Sequence, residues 1–181
     1  MKLIILDRDG VINHDSDNYI RHPDEWQPID GSLEAIARLH QAGWKIVVAT
    51  NQSGLARGYF DGATLNAMHQ KCRQMLYALG GAIDAFFVCP HGPDDHCNCR
   101  KPAPGLFQMI SERFDRSLAG VPVVGDTLRD LQAGTACGCD PWLVMTGKGE
   151  RYKDHADLPP QTRQAADLRE VVDQILRETS S

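Results

Sequence analysis

The chain has 181 residues, 42% of them apolar and 24% charged, and a formal net charge of −5. That length suits one domain with a substantial core and is short for two, so residues 1–181 are read as a single domain. No apolar run approaches the ~18 residues of a membrane span, and Lys and Arg scattered through an acidic chain exclude the basic stripe of an extended nucleic-acid surface.

Met1-Lys2-Leu3 runs directly into the first apolar segment, which leaves no room for a signal peptide and points to a cytoplasmic protein. Six cysteines in that setting suggest metal or reduced thiols rather than a disulfide framework.

In chain order, apolar runs at 3–6, 45–49, 85–88, 121–124 and 142–145 read as strands. Amphipathic segments at 32–42, 64–79, 103–114, 128–136 and 167–177 read as helices between and after them. Strict alternation of this kind predicts βαβ units, hence an α/β protein with a doubly wound, Rossmann-like parallel sheet. Two connections, 13–28 and 89–104, exceed the usual two to six residues and are candidates for function, though neither is long enough for a separate cap domain. Residues 148–164, with Pro159-Pro160, read as an irregular link to the last helix, and Ser180-Ser181 as a frayed end.

The first strand stops at Asp7-Arg8-Asp9-Gly10. In an extended segment Asp7 and Asp9 project to one side, close enough to share a hard cation. They fall where open α/β sheets place their sites, at a strand's carboxyl end. Thr50-Asn51-Gln52-Ser53-Gly54 ends the second strand and offers hydroxyl and amide donors to an anion. Arg100-Lys101-Pro102 puts two cations near a helix start, where the dipole does not favour them, and an anionic ligand would explain their presence. In Gly125-Asp126-Thr127-Leu128-Arg129-Asp130 the second acid follows the first by one helical turn on the same face, or serves simply as an N-terminal helix acid. If these ends share one crevice, Mg2+ would sit among the carboxylates, with a phosphoryl group between it and Lys101.

Cys89-Pro90-His91 and Cys97-Asn98-Cys99 supply four soft ligands within eleven residues, the set a closed tetrahedral zinc site requires. Ordering that loop costs roughly 10–20 kcal/mol at about 1–2 per residue, and structural zinc contributes an apparent ~10–16 kcal/mol, a matching scale. His96 is the rival histidine, poorly placed beside Cys97. Cys72, Cys137 and Cys139 read as buried thiols.

The four strand-end motifs, in this order, resemble those of the haloacid dehalogenase superfamily of phosphatases, and the likeness spans nearly the whole chain. It implies that Asp7 is the nucleophile and Asp9 the general acid and then base. It also implies Mg2+ on Asp7, the Asp9 backbone carbonyl and Asp126, with Thr50 and Lys101 on the phosphoryl oxygens and Asp130 behind the metal. The Cys-x-His…Cys-x-Cys-Arg-Lys-Pro segment is similar to that of a small, nearly capless branch containing the heptose-bisphosphate and histidinol-phosphate phosphatases. The run Thr50 to Gly58 looks like the heptose type. The five-residue bridge from His91 to Cys97 looks more like the histidinol-phosphate type, and Thr127 stands where some heptose enzymes carry Lys.

The resemblance therefore implies an enzyme that removes the 7-phosphate of D-glycero-D-manno-heptose 1,7-bisphosphate, in supply of lipopolysaccharide core precursors. A histidinol-phosphate phosphatase is the alternative. A second phosphate needs its own cations, and Arg57 and Arg100 are the candidates. Asn51, Gln52, Ser53, Asp15, Asp17, Asn18 and Tyr19 are candidates for the phosphate and sugar hydroxyls. The expected partner is thus a small anionic sugar phosphate met by a monomer. A phospho-acceptor domain is a non-enzyme rival, but its acid would end the third strand, where Val88-Cys89-Pro90 stands. A zinc-stapled interaction module is another, and it leaves Asp7, Asp9 and Asp126 without a purpose.

Overall fold

Strand β1 (Lys2–Leu6) is buried along its whole length after Lys2. Its side chains alternate between two cores: Ile4 and Leu6 face one, Leu3 and Ile5 the other. A strand apolar on both faces must lie inside a sheet covered on both sides. The computed structural model, which describes residues 1–180, places it there. Six parallel strands run in the order β3-β2-β1-β4-β5-β6, with β2 at Trp44–Asn51, β3 at Ala85–Cys89, β4 at Pro122–Gly125, β5 at Asp140–Val144 and β6 at Arg163–Ala165.

The first core gathers Leu33, Ile36 and Leu39 of α1 (Ser32–Gln41), Leu65, Met68 and Leu76 of α2 (Gly62–Ala78), and Leu168, Val171 and Ile175 of α5 (Leu168–Thr179). The second packs Leu106, Phe107 and Ile110 of α3 (Gly105–Arg113) and Ala133 of α4 (Leu128–Thr135) on the opposite face. The doubly wound sheet expected from the sequence is therefore present. Its strand order reverses between β1 and β4, the position where such sheets open a crevice at their carboxyl ends. The Asp7 N–H donates to Val124 O at 2.9 Å across that seam.

Two expectations are corrected. Residues 148–164 do not simply wander, since β6 begins within that stretch and pairs Arg163 with Trp142 and Ala165 with Val144. Three residues with a single apolar side chain carry no period to detect. Arg163 stabilises the edge by lying over the Trp142 ring at 3.9 Å. At the end of α5 the Ser180 hydroxyl donates to Leu176 O at 2.7 Å. Ser181 lies outside the described residues. Helix α3 starts two residues later than the pattern suggested, at Gly105, whose missing side chain lets it lie against Asn98 and Cys99.

The long connection 13–28 is pinned rather than loose. His14 N–H donates to Gln27 O at 2.9 Å, and Ile29 N–H to Ile12 O at 2.9 Å. Trp26 is fully buried beneath it, and the Lys71 ammonium of α2 donates to Pro23 O and Trp26 O at 2.8 and 2.7 Å. This connection forms one wall of the crevice.

Candidate active site

Asp7, Lys101 and the pair Asp126 and Asp130 come from three distant stretches of sequence and meet at the carboxyl ends of β1 and β4. Carboxylate oxygens of Asp7, Asp126 and Asp130 lie within 4.8 Å of one another. The Lys101 ammonium is placed against them, 3.0 Å from Asp7 Oδ1 and 2.7 Å from Asp130 Oδ1, and it also donates to Ala49 O at 2.6 Å. Three acids facing one cation in a buried place leave an excess of negative charge. Burial, then the charge of Asp130, raises the Asp7 carboxyl to about 7 despite Lys101. Burial, then Asp7 and Asp130, raises Asp126 to about 9. For Lys101, burial alone would lower the pKa, but Asp130 and Asp7 hold it above the ordinary lysine range.

Asp126 sits in a cradle of two glycines with left-handed backbones, Gly10 (φ 86°) and Gly147 (φ 58°). A Cβ on either would overlap Asp126 Oδ2. The Lys148 N–H donates to that oxygen at 2.9 Å, so the segment after β5 helps to aim Asp126. Asp130 accepts from the Thr127 N–H and hydroxyl at 3.2 and 3.0 Å, as helix cap and cluster member at once. It therefore stands beside Asp7 and Asp126, with Oδ2 on Thr127 and Oδ1 on Lys101.

Asp9 is treated differently. Its Oδ1 accepts from Arg8 Nε and Nη2 at 3.1 and 2.8 Å and from Asn13 Nδ2 at 2.8 Å, and its Oδ2 from Gln52 Nε2 at 3.0 Å. Burial pushes this carboxyl up, but the Arg8 charge and these hydrogen bonds outweigh it and leave the pKa below the ordinary value. Asp9 is held ionised, with Oδ2 the more lightly engaged oxygen.

These acids line a cavity of about 230 Å³ together with Asp15, Ser16, Asp17, Tyr19, Asn51, Gln52, Ser53, Arg100 and Lys101. Several expectations change. Thr50 is buried and is not among the residues lining the cavity; its hydroxyl accepts from Gln52 Nε2 at 2.9 Å, so it supports Asp9 through Gln52. The Asn51 amide is taken by the Lys101 backbone, donating to Lys101 O at 3.1 Å and accepting from Lys101 N–H at 3.0 Å. Arg57 is not in the wall; its guanidinium lies 5.9 Å from the centre of the Tyr19 ring. Arg100 is in the wall, steadied by His91 O at 3.5 Å. Asn18 opens on a neighbouring depression with Tyr19 and Arg21.

Two cavity cations escaped the sequence reading, Arg129 and Lys148. Arg129 lies inside a motif already singled out, on the first turn of α4. Lys148 had no signal, because only the fold of the segment after β5 brings it to Asp15, at 3.4 Å.

The second cluster adjoins the first through Arg100 and Lys101. Sγ of Cys89, Cys97 and Cys99 and Nδ1 of His91 lie within 4.8 Å of one another. Cys89 Sγ is 3.7 Å from Cys97 Sγ, 3.1 Å from Cys99 Sγ and 3.6 Å from His91 Nδ1. Zinc–sulfur bonds of ~2.3 Å directed at tetrahedral corners put sulfurs ~3.8 Å apart, a spacing the Cys89–Cys97 pair has and the Cys89–Cys99 pair falls short of, so the four form a compact set that could hold a metal ion. His96 is not part of the group. Of the remaining thiols, Cys72 and Cys139 are buried as expected, while Cys137 is only half-buried.

A model of the polynucleotide kinase 3 phosphatase family matches residues 2–158. The chain belongs to that family. It is similar to the D-glycero-beta-D-manno-heptose-1,7-bisphosphate 7-phosphatase of Bordetella bronchiseptica, with 60% identity over 178 residues covering 98% of this chain and 99% of the relative. The protein of that name from Pseudomonas aeruginosa is 53% identical over 175 residues, covering 97% and 98%. A crystal structure of the B. bronchiseptica heptose bisphosphate phosphatase, complexed with magnesium and phosphate, superposes with a TM-score of 0.97 at 60% identity, covering 98% and 99%. With this fold and these relatives, the chain is a phosphoric monoester hydrolase of the haloacid dehalogenase type.

The raised acids make a test. A carboxyl whose pKa is raised in the fold stabilises it while protonated, and that contribution fades as pH rises from the ordinary 3.8 through about 7 for Asp7 and about 9 for Asp126. A divalent cation needs both groups ionised. The rise in melting temperature on adding Mg2+ should therefore be small in mild acid and grow as pH climbs through those values. A rise independent of pH would show that Mg2+ binds elsewhere.

Proposed function

We propose that the chain hydrolyses the 7-phosphate of D-glycero-β-D-manno-heptose 1,7-bisphosphate by a two-step transfer through Asp7. The observation that carries the reading is the convergence of Asp7, Asp9, Lys101, Asp126 and Asp130 on one cavity. Identity of 60% along nearly all of a heptose-bisphosphate phosphatase favours that substrate over histidinol phosphate.

The donor set fits a hard cation: three crowded carboxylates whose pKa values rise for want of positive charge. Asp7, Asp126, Asp130 and the Asp9 backbone carbonyl would hold Mg2+, which supplies charge neutralisation for the phosphoryl group. Lys101 binds the phosphoryl oxygens and balances the charge on Asp7. In the first step an Asp7 carboxylate oxygen bonds to phosphorus as the bond from phosphorus to the sugar C7 oxygen breaks. The proton on Asp9 Oδ2 passes to that oxygen, which departs as an alcohol. A phosphate dianion entering beside Asp9 favours the uptake of this proton, because negative charge raises a neighbouring carboxyl's pKa. In the second step Asp9, now ionised, takes a proton from water at Oδ2 while the water oxygen attacks phosphorus. The bond to Asp7 breaks, releasing inorganic phosphate. Arg8, Asn13 and Gln52 keep Asp9 in the orientation both steps use.

For the distal phosphate, Arg100, Arg129 and Lys148 replace the pair Arg57 and Arg100 suggested by sequence. All three line the cavity, and among the described residues Arg129 has no ion-pair or hydrogen-bond partner. Asp15, Ser53 and Tyr19 are proposed to meet the sugar hydroxyls. Cys89, His91, Cys97 and Cys99 are proposed to hold one structural zinc that fixes the loop carrying Arg100 and Lys101. The setting proposed is a cytoplasmic monomer supplying heptose for the lipopolysaccharide core.

Asp7→Asn should abolish turnover in a folded protein; retained phosphatase activity in pure enzyme would remove Asp7 as the nucleophile. Losing one charge-assisted contact costs about 1.5–3 kcal/mol, roughly ten- to a hundredfold. Arg129→Ala should therefore cut kcat/KM for the bisphosphate by about that factor while sparing a simple monophosphate ester. An equal loss on both would place Arg129 at the reacting phosphate instead. Elemental analysis should give about one zinc per chain, and Cys97→Ser should lose it, melt at a lower temperature and weaken catalysis. A Cys97→Ser protein with unchanged melting and activity would count against the structural role.

A further inference from the structure

Arg8 lies between the two acids of the first motif, and its side chain is 1% exposed. A guanidinium does not shed its charge, so burial requires its donors to be met. One edge, Nε and Nη2, is spent on Asp9 Oδ1 at 3.1 and 2.8 Å. Nη1 points away from the cavity, toward α2, where it lies 3.2 Å from His69 Nε2 and 3.9 Å from Met68 Sδ. His69 is buried and stacks almost flat on Phe86, with 4.0 Å between ring centroids and 11° between planes. The ring is therefore fixed from the β3 side before it meets Arg8. Burial first, then the Arg8 charge, lowers the histidine to about 3, so the ring is neutral. Since Arg8 can only donate, Nε2 is the acceptor and the ring proton sits on Nδ1.

His69 does not line the cavity and touches no substrate group, yet only Arg8 stands between it and Asp9. We infer that His69 is a positioning residue for the acid–base step: by accepting the Nη1–H of Arg8 it sets the plane of the guanidinium whose opposite edge holds Asp9 Oδ1, leaving Oδ2 to carry the proton. A guanidinium is rigid and planar, so fixing one nitrogen fixes the direction of the others. Removing the acceptor leaves a buried N–H unmet, and Arg8 then turns toward another acceptor at the expense of its fork on Asp9. The inference rests on Asp9 being the acid and base of the proposed reaction.

The test uses leaving groups of different need. The sugar alkoxide departs only when protonated, whereas p-nitrophenolate departs without a proton, so kcat/KM, which covers the steps up to departure of the leaving group, depends on the aim of Asp9 for the sugar ester alone, while the later attack of water uses Asp9 for both. His69→Phe keeps the ring stack and removes the acceptor, and His69→Leu removes it in a smaller, more adaptable side chain. Both should lower kcat/KM for heptose 1,7-bisphosphate about tenfold, against the roughly 10²–10⁴ that a positioned acid supplies. For p-nitrophenyl phosphate both should stay within about twofold of the parent enzyme. His69→Gln, which retains an acceptor, should recover most of the loss. Asp9→Asn, run in parallel, should discriminate between the two esters in the same sense and more strongly. Equal losses on both esters, or none, in whichever apolar variant melts like the parent would overturn the role of His69 while leaving Asp9 intact. Failure of Asp9→Asn itself to discriminate would instead overturn the acid assignment.

Discussion

The site depends on one electrostatic constraint: three carboxylates forced together where the strand order reverses, with a single ammonium to answer them. Asp7, Asp126 and Asp130 cannot all be ionised cheaply within 4.8 Å of one another, even with Lys101 at 3.0 and 2.7 Å from two of them. The fold nevertheless holds them there. Asp7 and Asp126 end adjacent parallel strands, and Asp130 is locked to its place by capping α4. A site strained in this way has a standing preference for a second positive charge. Its geometry is set by backbone elements rather than by the ion.

Asp9 shows the opposite treatment only two residues from Asp7. Four hydrogen bonds and the Arg8 charge keep it ionised, while its neighbours are pushed toward protonation. Environment, not residue type, sets these two carboxyls apart. The separation is built outward in layers: Asn13 and Gln52 on Asp9, Thr50 beneath Gln52, and His69 behind Arg8. Asn13, Gln52, Thr50 and the neutral His69 ring add no further buried charge.

The cysteine loop acts on the same constraint from the other side. Lys101 is two residues from Cys99, and its backbone is clamped on both polar atoms by the Asn51 side chain. Gly105 lets α3 begin directly against Asn98 and Cys99. Between the Asn51 clamp and that close helix packing, the ammonium that balances Asp7 has little freedom to move.

The sequence alone was enough to indicate the parallel sheet, the five helices and the two ligand sets. Each of these rests on local information: an apolar run that stops at a charge, a helical period, cysteines and a histidine a few residues apart. It also ranked Asp7, Asp9, Lys101 and Asp126 together, because chain order in a doubly wound sheet dictates which strand ends are neighbours. It did not foresee that the fold commits the side chains of Thr50, Asn51 and Arg57 to Gln52, Lys101 and the rim near Tyr19. It could not find β6, too short for a period, or Lys148, which only the path of the chain after β5 brings to the cavity. Nor could it see that Arg8 faces His69 sixty-one residues away. Which groups can do chemistry is written in local order and spacing. Which of them are free to do it depends on the partners each one meets after packing, and those are decided by contacts between distant parts of the chain.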